Sequence, residues 1–202
     1  MFISKLRVSG FKSFSEDTTI SINSGLNGII GPNGSGKSNV VEAIKWVMGE
    51  NSSKSLRGAG MNDLIFNGSA SKASKNIALV SLTLEVDKNI LEDNYKKFIK
   101  DNIIEVERQA IRDSGSTYRI NGKEVKAKDI QYLFADFSSG SRSSNIIDQG
   151  TVGNLVLQKP IDRRRILDEA AGITGISARK NETNNKLDST KRNLDRLNDI
   201  LE

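Results

Sequence analysis

Residues 31–38 read Gly-Pro-Asn-Gly-Ser-Gly-Lys-Ser, a complete G-x-x-x-x-G-K-[ST] loop. The chemistry of that pattern is phosphate recognition. Its glycines let backbone N–H groups converge on phosphate oxygens with no side chain in the way, and the positive end of a following helix adds to the field. Lys37 is placed to reach the β- and γ-phosphates, and Ser38 to offer a hydroxyl to Mg²⁺. The expected binding segment is therefore Gly31, Pro32, Asn33, Gly34, Ser35, Gly36, Lys37, Ser38 and Asn39. ATP and Mg²⁺ are the expected ligands.

Two elements must position this loop. Leu26, Ile29 and Ile30 predict a strand over 26–30 that feeds it. Val40, Val41, Ile44, Val47 and Met48, three to four apart, predict a helix from Ser38 to about Met48. Strand, glycine-rich turn and helix separate a phosphate site from a loop that merely turns a corner.

Bulk properties narrow the rest. The 202 residues suffice for one sizeable domain and an appendage. There are no cysteines, so disulfides and thiolate chemistry are excluded, and no histidines, so no imidazole serves as base or ligand. The net charge of +5 is compatible with nucleic acid without pointing to it. No apolar run is long enough to span a membrane, and Met1-Phe2-Ile3-Ser4-Lys5 lacks the layout of a signal peptide. A nucleotide site without an export signal suggests the cytoplasm.

Along the chain, Leu6 and Val8, then Ile20 and Ile22, alternate as a small β-layer around the polar turn 14–17. Residues 49–60 are polar and rich in Gly and Ser, the pattern of a surface loop. Strands are expected over 77–86 and 103–111, with the charged, irregular stretch 87–101 between them. Asn121-Gly122 is a hairpin signal, and 126–137 carries a helical face of Ile130, Leu133, Phe134 and Phe137. Residues 138–144 read as a loop and 145–148 as a short apolar strand. A helix then opens at Lys159-Pro160, where proline suits the first turn. From Ile176 the positions 176, 180, 183, 187, 190, 194, 197 and 201 hold Ile, Lys, Thr, Leu, Thr, Leu, Leu and Leu, a heptad seam strongest in its second half. Such a seam needs a partner strand, and this sequence supplies none.

A working phosphate-loop ATPase also needs an acid on a second strand to hold Mg²⁺. Leu82-Thr83-Leu84-Glu85-Val86-Asp87 has the apolar run with the wrong ending. Ile166-Leu167-Asp168-Glu169 has the ending, but Arg163, Arg164 and Arg165 stand where buried strand residues belong. Asp168 and Glu169 read instead as solvated helix residues. The arginine run either contacts nucleic acid or pairs with neighbouring acids. Lys12 is either a phosphate or DNA contact or a surface lysine. The acidic half of the nucleotide site must come from elsewhere.

Several stretches together suggest a family: Phe11-Lys12-Ser13-Phe14, GPNGSGKSNVVEAIKWVMGE at 31–50, Ser55-Leu56-Arg57-Gly58, Ile65-Phe66-Asn67-Gly68 and Asp168-Glu169-Ala170-Ala171-Gly172-Ile173. The chain resembles the N-terminal head segment of SMC proteins, the chromosome-organising ATPases, in particular the bacterial condensin type. The resemblance implies an α/β fold: the N-terminal lobe of an ABC-type P-loop NTPase, a mixed β-sheet with flanking helices, followed by the start of a coiled-coil arm. It divides the chain into a head lobe over 1–172 and a neck with coiled coil over 173–202.

By the same resemblance, Gln149 is the glutamine-loop residue that contacts Mg²⁺ and the attacking water. Arg57 is the arginine-loop residue tied to DNA-stimulated hydrolysis. With Lys37 these make the implied catalytic set, and Ser38 and Gln149 the implied metal ligands. The implied partners are the protein's own C-terminal head lobe, a second SMC head, a kleisin-type subunit at the neck and DNA, with no membrane. The implied location is the cytoplasm, at the nucleoid. The signature motif and the acidic strand are missing, Phe137-Ser138-Ser139-Gly140 reading as a plain loop. The chain thus looks like a truncated head that binds ATP weakly and does not turn it over. Competing readings are a RecN- or RecF-like repair ATPase, an ABC transporter nucleotide-binding subunit, and a scaffold that never cleaves nucleotide. The arm and residues 50–68 favour SMC over the first, and the long separation of Gln149 from Lys37 disfavours the second.

Overall fold

Apolar residues at two-residue spacing build one antiparallel sheet. In the computed structural model the described residues are 2–51, 60–86, 99, 101–136, 146–147, 160–161, 164, 167–168, 171 and 173–201. Six strands, β1 (Phe2–Ser9), β2 (Thr18–Ser21), β3 (Ile77–Glu85), β4 (Ile103–Ile111), β5 (Gly115–Ile120) and β6 (Lys123–Val125), lie in the order β2-β1-β3-β4-β5-β6. Every neighbouring pair in that order is antiparallel. Leu6 faces Leu82, Val8 faces Val80, Leu82 faces Val106 and Leu84 faces Ile104 across the strands. All of these are fully buried, so the register is pinned: a one-residue slip would turn the whole set to solvent.

Helix α1 (Lys37–Val47) covers this face, packing on β3 and β4 through Val40, Ala43, Trp46 and Val47. Phe11 stacks on Trp46 with ring centroids 5.2 Å apart. A short 3₁₀ turn (Met61–Leu64) and the residues after it add Leu64, Ile65 and Phe66 to the core. Helix α2 (Ala127–Asp136) buries Ile130, Leu133 and Phe134 on one face, as its periodicity predicts. Asn121 and Gly122 both take positive φ, 45° and 77°, and close the β5–β6 hairpin with Ile120 opposite Lys123.

The chain divides into two compact units, one reaching to Phe134 and the other holding most of the residues beyond it. In the second, α3 (Thr174–Leu201) runs for 28 residues. Its seam residues Ile176, Leu187, Leu194 and Leu197 are all exposed. Thr183 and Thr190, the polar seam positions, donate back to the carbonyls of Arg179 and Lys186 at 2.9 Å. The described residues between 160 and 168 are helical.

Three expectations are corrected. Residues 26–30 are not a strand, and Leu26 and Ile30 are essentially wholly exposed. The side chain of Asn27 donates to the carbonyls of Asn23 and Gly25 and accepts from the Asn23 N–H. These local bonds hold a turn, and no described strand lies alongside to offer a ladder instead. Ile146 and Ile147, the described part of 145–148, are likewise outside any strand, and Ile147 is exposed. The stretch predicted as a surface loop begins buried: Gly49 and Glu50 are enclosed, the latter 2% exposed.

Gly10 has φ +63°, and a Cβ there would lie 2.1 Å from the Ile77 carbonyl oxygen. Neither group can yield, since both belong to backbone. Gly10→Ala is expected to cost about 2–3 kcal/mol of unfolding free energy, read from urea denaturation midpoints.

Candidate functional site

The phosphate loop closes on itself through its glycines. Gly34 and Gly36 lie in the left-handed region at φ 82° and 91°. The Ser35 N–H donates to the Pro32 carbonyl at 3.3 Å. Side chains at the glycines would collide: a Cβ on Gly31 would sit 2.7 Å from Ser35 Oγ, and one on Gly36 would sit 2.7 Å from Ser13 Oγ. Gly36 is the N-cap of α1 and has no side chain to cap it, while the Asn39 N–H bonds the Gly36 carbonyl at 2.9 Å. No acidic residue occupies the first turn. The helix therefore presents the positive end of its dipole without an anion from its own first turn to neutralise it.

Lys37 folds back over the loop. Its ammonium donates to the carbonyls of Gly31 at 2.7 Å and Pro32 at 2.6 Å. Ser38 lies on the first turn of α1. Amide donors, an ammonium and a hydroxyl are the donor set a Mg²⁺–triphosphate requires, and the tight glycine backbone leaves that set clear of intervening side chains. The residues 31–39 predicted from sequence thus lie together at one helix end. Arg57, Gln149 and the loop 137–140 fall outside the described residues. Asp168 is helical, and Arg164 lies 3.9 Å from its carboxylate at i, i+4. That matches the reading of Asp168 as a helix acid with a neighbouring arginine as partner; Arg163, Arg165 and Glu169 fall outside the described residues.

Sequence reasoning missed what holds the loop from behind. The Asn39 side-chain amide donates to Ser13 Oγ at 2.8 Å, and Lys12 forms an ion pair with Glu42 on the second turn of α1. Both partners of that pair are largely buried, at 12% and 6% side-chain exposure. The Lys12 side chain is thus committed to α1 rather than extended into solvent as a surface lysine. Its backbone has φ 47°, unusual for a residue with a Cβ, and its N–H donates to the Leu64 carbonyl at 2.8 Å. The turn 11–14 is therefore wedged between α1 and the 61–66 segment, where Phe11 bridges to Ile65. The only sequence signal was a lysine and a glutamate thirty residues apart, which no periodicity links.

Lys12→Met is expected to lower the unfolding free energy by roughly 2–4 kcal/mol, because it takes the Lys12 cation away from a buried carboxylate. Adding Glu42→Leu should recover most of that loss. Urea denaturation of the four-member cycle checks this; additive losses would show the two residues to be uncoupled.

The chain is similar to known proteins in sequence and in fold. The family model described as "RecF/RecN/SMC N terminal domain" matches residues 2–142. The "Chromosome partition protein Smc" of Cereibacter sphaeroides is 45% identical over 201 residues, which is all of this chain and 17% of that protein. The chain thus spans about one sixth of the length of this curated relative. A solved structure described as "Structural biochemistry of ATP-driven dimerization and DNA stimulated activation of SMC ATPases" superposes with a TM-score of 0.72 at 27% identity, covering 84% of this chain and 99% of that one. The Smc head domain of Pyrococcus furiosus, with an extended coiled coil and bound to the C-terminal domain of ScpA, gives a TM-score of 0.76 at 28% identity over 96% of this chain and 48% of that one. The chain belongs to the RecF/RecN/SMC N-terminal domain family, and within it corresponds to the N-terminal head segment of SMC proteins.

Proposed function

We propose that this chain is the ATP-binding lobe of an SMC head, whose nucleotide cycle drives head engagement and release on chromosomal DNA. The observation that carries this is the uncapped amino end of α1, with Lys37 folded across a loop that only glycine can form. The lobe binds Mg²⁺–ATP through the backbone of 32–38, its N–H donors beginning at Asn33, with the Lys37 ammonium and the Ser38 hydroxyl. Gln149 completes the metal site, and Arg57 acts on the transferred phosphate or reports DNA to the site.

Bound nucleotide supplies a charged triphosphate that a second head must finish enclosing. The acid that positions water belongs to the complementary C-terminal lobe. Leu26, Ile29 and Ile30, exposed just before the phosphate loop, offer that lobe an apolar surface that nothing described in this chain covers. The seam of α3 offers the same to a returning coiled-coil strand. The relative bound to a ScpA domain makes a kleisin-type subunit the expected third partner, at the neck formed by 173–202. No described helix is long and apolar enough to cross a membrane. Cytoplasmic, nucleoid-associated work fits the proposed DNA cycle.

The chain alone is expected to bind Mg²⁺–ATP weakly and to show no turnover. Supplying the C-terminal lobe in trans should restore hydrolysis, and Lys37→Ala should reduce it by at least ~100-fold. Phosphate-release assays check both. Turnover by the chain alone that depends on Lys37 would overturn the division of labour. Silence after the second lobe is added would make the chain a nucleotide-binding scaffold.

A further inference from the structure

Position 108 faces the apolar side of the sheet, opposite Val80 on β3 and Tyr118 on β5, where a valine or leucine would fit the pattern. It is an arginine, and it is 1% exposed. Burial lowers its pKa to about 10, so it remains charged at neutral pH. The guanidinium lies between two rings, 4.6 Å from the centroid of Trp46 and 4.6 Å from that of Tyr118. Nη1 donates to the carbonyls of Trp46 and Glu50, both at 2.8 Å. Nη2 donates to Asn51 Oδ1 at 2.6 Å and Ser116 Oγ at 3.2 Å.

Trp46 is in the last turn of α1, and Glu50 and Asn51 lie a few residues beyond its end. Arg108 therefore fastens the carboxyl end of the helix whose amino end carries Lys37 and Ser38. A cation there also complements the negative end of the helix dipole. An apolar residue would cover the same area without the desolvation cost. What it would lack is the planar fork, which sets both the distance and the rotation of the helix end against β4 and β5. An eleven-residue helix is a rigid rod of ~16 Å, so a shift or twist imposed at one end is delivered to the other. At the amino end, displacement of about an ångström already matters to ligand geometry.

We infer that Arg108 is a positioning residue for the phosphate loop, holding α1 by its far end so that Lys37 and Ser38 meet the nucleotide in register. The inference rests on the proposed nucleotide-binding role. It adds a determinant in β4 that does not touch the ligand.

The test titrates a fluorescent Mg²⁺–ATP analogue into the 202-residue chain, its Lys37→Ala variant, Arg108→Lys and Ser116→Ala, at a temperature below the melting transition of each. Arg108→Lys keeps the charge and removes the fork; Ser116→Ala removes one hydroxyl from the fork and leaves the ring sandwich. Affinity is expected to fall about tenfold in Arg108→Lys and about two- to threefold in Ser116→Ala, with far-UV circular dichroism unchanged. Melting temperatures that fall while affinity stays within experimental error of the parent would make Arg108 a packing residue only and overturn the inference. Should Arg108→Lys fail to fold, Ser116→Ala decides: reduced affinity supports positioning, and parental affinity overturns it. Absence of Lys37-dependent binding in the parent chain would instead overturn the nucleotide-binding role, and this inference with it.

Discussion

The surroundings of α1 meet one geometric constraint: its amino end is left without a side-chain cap while buried contacts hold its body. A helix end without a side-chain cap is a deficit in a folded protein, because its first amides lack partners. Here that deficit is the binding feature. Gly36 cannot cap, no acid stands in the first turn, and Lys37 brings a second positive group to the same place. The sheet supplies a buried apolar face for the helix through Val80, Leu82 and Val106, and polar contacts supply its orientation.

Those polar contacts are unusual in being buried charges. Lys12 meets Glu42 on one flank, Arg108 takes the carbonyls at the carboxyl end, and Glu50 sits enclosed just beyond. Apolar packing alone is tolerant of small slides, since its energy varies smoothly with displacement. Hydrogen-bonded charges are not, because a slide strands them without solvent. A lobe that must grip a ligand at one helix end benefits from the second kind of contact more than from additional area.

Much of this was legible in the sequence where the cause was local. The loop announced itself by residue type and spacing. Asn121-Gly122 announced its hairpin because two successive positive φ angles suit those residues. The strands expected over 77–86 and 103–111 are found at Ile77–Glu85 and Ile103–Ile111. What failed was non-local. Residues 26–30 have strand composition, but a strand exists only beside another, and Asn27 makes local bonds that compete successfully where no strand lies alongside among the described residues. Nothing in the sequence singles out Arg108, because its partners at 46, 50, 51 and 116 meet only after folding. Gly49 and Glu50 looked like loop for the same reason, since polarity reads as exposure unless a buried partner is known.

Trp46 is the sole tryptophan of the chain, fully enclosed, with Phe11 on one side and the Arg108 guanidinium over its ring. The lobe therefore carries an intrinsic optical reporter at the end of α1 opposite its ligand-binding end. An indole in such an enclosure emits toward the blue, and the adjacent cation makes its spectrum sensitive to small changes in the spacing between helix and sheet. Light emitted from that one ring registers the state of the far end of the rod without any label being attached.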